Sequence, residues 1–112
     1  MKAVFHHSND DSKLHKRVVN NISNLLDDKT IELDAVVLVA NSGGLALLLE
    51  NSAQSEQVEQ LQDRGVSFKQ CYNTIDGTDI TEDDLIDGVE LVSSGVGEVT
   101  RLQNDGYAYI RP

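Results

Sequence analysis

Cys71 is the only cysteine in the 112-residue chain, and it ends a strand-like run, VSFKQC over residues 66–71, that gives way to Asn73-Thr74 and a polar loop. A thiol is a nucleophile only as its thiolate. The carboxyl end of a strand in an α/β domain is where helix N-termini gather and favour that anion. The same placement also suits an inert cysteine packed as a small hydrophobe, and position alone leaves both open. Residues just past the other strand-like runs add His6 and His7, the turn Asn41-Ser42-Gly43-Gly44, Asn73 beside the thiol, and Ser93-Ser94-Gly95 with Gly97 close behind. The candidate site is therefore Cys71 as nucleophile, with His6, Asn41, Ser42, Gly43, Asn73, Ser94 and Gly95 as binding residues. The two small-residue turns would offer backbone N–H groups to an anion, although such turns are equally ordinary loop chemistry. His6 and His7 are neighbours on a strand, so they point to opposite faces and at most one can look into the site.

Several chemistries are missing. No CxxC, HxxxH or HExxH spacing supplies a metal site, and Asp76-Gly77-Thr78-Asp79 lacks the alternation and terminal glutamate of a calcium loop. GxSxG is absent, so a serine hydrolase is not expected, and without a Walker or GxGxxG pattern a nucleotide site has only weak support. Nineteen acids against nine bases give a net charge of −10. From Gln70 to Thr100 there is no lysine or arginine at all. Such a surface repels phosphate backbones, which argues against nucleic acid. His15-Lys16-Arg17, the one basic cluster, reads as the solvated face of a helix. No apolar run approaches the roughly 20 residues of a membrane span. The opening MKAVFHHSNDD is too short in apolar residues for a secretory leader, and an unpaired cysteine gives no sign of export, so a cytoplasmic protein is expected.

The elements that must position these residues alternate strand and helix throughout. Residues 2–6 read as a first strand. Asp10, Asp11 and Ser12 offer N-caps to a helix with Leu14, Val18, Ile22 and Leu25 on its apolar face. DAVVLVA over residues 34–40 reads as a parallel strand covered on both sides. Residues 45–50 form a short helix, and the glutamine-rich 51–62 an exposed one. Gly65, Gly88 and Gly106 each read as a helix stop followed by strand entry, and Thr81 with Asp83 and Asp84 as a helix start. Val96, Val99 and Leu102 give the last helix a buried stripe, and residues 107–110 a terminal strand. Tyr72, Tyr107 and Tyr109 read as core or interface aromatics. The expectation is one domain over 1–112: a three-layer α/β/α fold with a five-stranded, mainly parallel sheet, flavodoxin-like in architecture.

The stretches VFHHSNDD, VVLVANSGG, GVSFKQCYNT and DLIDGVELVSSGVGEVTRLQNDGYAYIRP together resemble the DsrE/DsrF-like family of small sulfur-handling proteins, particularly its short members without an assigned role. The resemblance implies the same α/β/α sheet and a homo-oligomer, trimer or hexamer. It also implies a cysteine after the third strand, the place of Cys71, that takes sulfane sulfur as a persulfide from a donor protein and passes it to an acceptor. No cofactor is implied. A second class of function is a non-catalytic oligomeric module binding a small anion or nucleotide at the same edge, with Cys71 only lining it. A third, a thiol hydrolase, would need a histidine within hydrogen-bond reach of the sulfur.

Overall fold

In the computed structural model, which describes residues 1–112, five strands form one sheet in the order β4-β3-β2-β1-β5. All neighbours run parallel. The strands are β1 (Lys2–His7), β2 (Ala35–Ala40), β3 (Ser67–Cys71), β4 (Glu90–Val92) and β5 (Ala108–Ile110). Between them lie α1 (Ser12–Asp27), the short α2 (Leu45–Leu48), α3 (Ser55–Asp63), the one-turn α4 (Tyr72–Ile75) and α5 (Gly95–Asn104). The five expected strands are all present, and helices cover both faces.

Alternation along each strand sorts the side chains. Ala3, Phe5, Val36, Leu38, Ala40 and Phe68 enter one face, where they join Val18, Val19 and Ile22 of α1, Leu47 and Leu48 of α2, Val58 and Leu61 of α3 and Ile75 of α4 in a cluster of 19 buried residues. Val4, Val37 and Val39 enter the other face and meet only Val99 and Leu102 of α5. The asymmetry follows from topology. Successive right-handed crossovers from β1 to β4 keep their helices on one side of the sheet. The return from β4 to β5 runs the opposite way along the sheet, and so places α5 alone on the other side.

Several local expectations change. Asp11, not Asp10 or Ser12, caps α1, its side chain accepting from the Lys13 N–H at 2.8 Å. His15 is buried while Lys16 and Arg17 are exposed, so the basic cluster is not wholly a solvated face. Thr81 does start a helix with a capping box to Asp84, but only the 3-10 turn Glu82–Asp84. Beyond it the backbone prefers tertiary partners: Ile86 N–H bonds the Leu48 carbonyl at 2.8 Å, and Leu85 pairs with Leu49. Gly88, at φ 89°, therefore closes a tight turn rather than a helix. The helix at 51–62 begins later, at Ser55, and buries Val58 and Leu61. Val96 is 62% exposed, because the inner stripe of α5 is Gly95, Glu98, Val99 and Leu102. Tyr72 and Tyr109 are also exposed, and neither is a core residue.

Candidate functional site

The loop after β3 turns into α4 on the thick face, the one holding the 19-residue cluster, whereas the loop after β4 turns into α5 on the thin face, which α5 covers alone. Adjacent strands whose following loops part in this way open a crevice between them. Cys71 pairs with Val92 across that β3–β4 boundary, so the thiol stands at the one switch point of the sheet.

The floor of the crevice is built from short-range devices. Ser94 caps α5, its hydroxyl oxygen accepting from the Gly97 N–H at 2.8 Å. The glycine at 95 lets the helix start lie directly on the strand ends: a β-carbon there would stand 3.3 Å from Cys71 Cβ and 3.2 Å from Asn41 Cβ. Two residues before the cysteine, Lys69 reaches Glu98 with Nζ–Oε2 of 2.6 Å, and Arg101 also pairs with Glu98. Glu98 is buried, and burial disfavours the Lys69 charge, yet the hydrogen bond and charge of Glu98, with Glu90 behind it, hold the lysine's pKa above its ordinary value. This ion pair clamps the first turn of α5 to β3.

Cys71 is free and 5% exposed. Burial pushes its thiol up, but the Gly95 N–H, the Thr74 hydroxyl, and the N–H groups of Thr74 and Asn73 pull it down and prevail, so it sits below the ordinary thiol range. The Thr74 hydroxyl can point its hydrogen at sulfur because its oxygen is already occupied, accepting from the Ser42 N–H at 2.9 Å. Ser42 achieves that contact at φ 48°, the only non-glycine residue in left-handed conformation. An open cleft of about 430 Å³ leads to the sulfur, lined by Asn41, Ser42, Cys71, Asn73, Thr74, Ser94, Gly95 and Val96.

Six of the eight residues singled out from the sequence line this cleft. Gly43 does not: a β-carbon there would strike Asp10, and its role is to let the turn pack on the β1–α1 connection. His6 stands one strand further off and touches the cleft through Asn41, with Nε2 3.1 Å from Asn41 Oδ1. His7 points to the opposite face, where its Nε2 lies 2.6 Å from His15 Nδ1 in a buried pair. Thr74 and Val96 were missed. Thr74 lay in the loop already noticed, and an N-terminal helical turn starting at the thiol would have signalled it.

An α/β/α domain with its lone cysteine at the switch point of the sheet defines the class. The particular family follows: the chain belongs to the DsrE/DsrF-like family, whose model matches residues 21–112. The opening strand lies outside that match. A solved structure, that of the protein of unknown function MTH1491 from Methanobacterium thermoautotrophicum, is similar over 99% of this chain and 98% of its own, at 38% identity and a TM-score of 0.91. No curated protein matches. No group of histidine, cysteine and acidic side chains is arranged to hold a metal ion, and no helix is long and apolar enough to cross a membrane.

Proposed function

We propose that this chain is a persulfide carrier with Cys71 as its only sulfur-bearing residue. The supporting observation is the ring of donors around a thiol that burial alone would have kept neutral. In the loading step the Cys71 thiolate attacks the outer sulfur of a sulfane donor. The donor's S–S bond breaks, its thiolate leaves with the electron pair, and Cys71 holds a persulfide. In delivery a partner's thiolate attacks that outer sulfur, and the Cys71 thiolate departs into the donors that stabilised it at the start. No net redox change accompanies either step, and a second cysteine is not required.

Family membership supports the same reading, and we extend it to a cytoplasmic homotrimer, able to stack as a hexamer, that meets separate donor and acceptor proteins. Val96 at the rim of the cleft and Tyr109 near the end of the chain are large apolar groups left exposed at 62% and 41%, which suits an interface close to the thiol. Light scattering during size exclusion at moderate salt tests the assembly, and a mass near 12.3 kDa at micromolar concentrations would rule it out.

Mass spectrometry after incubation with a sulfane donor tests the chemistry. One sulfur added at Cys71 is expected. A reactive but unmodified thiol would favour the anion-binding module instead.

A further inference from the structure

A row of polar groups crosses the carboxyl edge from β5 to β3. Arg111 lies just past β5, and its Nη2 donates to Ser8 Oγ at 2.8 Å. Its Nη1 lies 3.3 Å from His6 Nδ1, and the Tyr109 hydroxyl lies 2.7 Å from the same nitrogen. A guanidinium can only donate, so Nδ1 of His6 is an acceptor and the ring hydrogen sits on Nε2. That hydrogen is donated to Asn41 Oδ1 at 3.1 Å. The Asn41 amide is thereby fixed with its oxygen toward β1. Its nitrogen must face the other way, and the strand on the other side of β2 is β3, which ends at Cys71. Asn41 lines the cleft beside the thiol, yet the groups that stabilise the Cys71 thiolate are Gly95, Thr74 and Asn73. The Asn41 Nδ2 hydrogens have no partner within the chain.

We propose that His6 is a positioning residue: Arg111 and Tyr109 set its tautomer so that Asn41 turns its amide N–H groups into the cleft, where they hold the negative charge of a group one bond beyond the Cys71 sulfur. On the carrier reading, on which this inference builds, that group is the terminal sulfur of the persulfide. The inner sulfur has its own donors in both states. The outer one arrives about 2 Å further into the cleft and needs a donor that the resting thiolate does not use.

The tautomer is tested on the unaltered protein. Nitrogen-15 NMR is expected to show the His6 ring hydrogen on Nε2, and a hydrogen on Nδ1 with Nε2 bare overturns the proposal. The amide's role is read as the ratio of alkylation rates with iodoacetate, an anion, and iodoacetamide, its neutral counterpart. His6→Phe and Asn41→Leu should lower that ratio about tenfold, the factor carried by one hydrogen bond to a charged group. His6→Gln, which keeps a donor at the position of Nε2, should restore the ratio. An unchanged ratio in both variants overturns the proposal even where the wild type takes up sulfur. A lowered ratio in a protein that never gains sulfur would sustain it and reject the carrier reading instead.

Discussion

The two faces of the sheet are made from the same strands and do different work. The face under α1 to α4 is a dry cluster of 19 buried residues, and the only polar side chains buried there near the site are His7, His15 and Gln70. The face under α5 has five buried apolar residues and carries Lys69, Glu98, His6, Tyr109 and Cys71. One helix cannot cover five strands, so polar side chains at the uncovered positions stay within reach of water and of one another. The thick face stabilises the sheet. The thin face is free to specialise its carboxyl edge.

That division predicts a graded set of responses. Phe68→Ala, on the thick face and 1% exposed, should cost about 3–5 kcal/mol, against about 1–2 kcal/mol for Val99→Ala on the thin one. Denaturant unfolding measures both, and equal losses would break the comparison.

Lys69→Ala leaves the buried Glu98 with only Arg101 and should cost about 2–4 kcal/mol. It should also raise the Cys71 pKa, because α5 is no longer held against β3. Lys69→Met paired with Glu98→Leu should recover much of the stability without the thiol's original pKa. Alkylation rate against pH separates the two effects.

Acid probes the polar residues buried on the thick face. Burial first, then the neighbouring His15, His6 and Arg111, lower the His7 pKa from 6.5 to about 4, and burial lowers His15 against the pull of Asp10 and Asp11. The unfolded chain therefore takes up protons that the folded chain refuses. The stability these neutral rings allow is present above pH 6.5 and falls as pH drops toward about 4, by roughly 3 kcal/mol for His7. A His7→Phe variant should show a shallower slope over that window, measured as melting temperature against pH.

The smallest structural effect should accompany the largest functional one. Cys71→Ser exchanges one small side chain within a ring of hydrogen-bond donors and should move stability by less than about 1 kcal/mol, while ending both alkylation and sulfur loading. In the wild type the alkylation rate should rise with an inflection below the ordinary thiol pKa. Protection of the thiol until unfolding would instead mark a packed cysteine.

Local chemistry made much of this legible from residues alone. The apolar run before Ala40, the cap at Asp11, the glycines at 65 and 106, and a lone cysteine before a polar turn each report a backbone state dictated within a few residues. They indicated a five-stranded, mainly parallel sheet and put Cys71, Asn41, Ser42, Asn73, Ser94 and Gly95 at one edge, together with His6 and Gly43, which do not line the cleft. The stripe of α5 misled because its inner positions include Glu98, whose burial depends on Lys69 from another strand. At about 100° per residue Val96 then falls outside the arc shared by Gly95, Val99 and Leu102.

Strand order, and with it the switch point between β3 and β4, depends on which way each crossover travels, which no local pattern encodes. The separation of His6 from His7 was readable as alternation. That one would meet Asn41 and the other would pair with His15 was not, since those partners are brought together only when β5, β1 and β2 lie side by side and α1 packs across them. The residues able to do chemistry were written in the sequence. The packing of the sheet decided which of them meet, because contact between distant segments is a property of the fold and not of any stretch of chain.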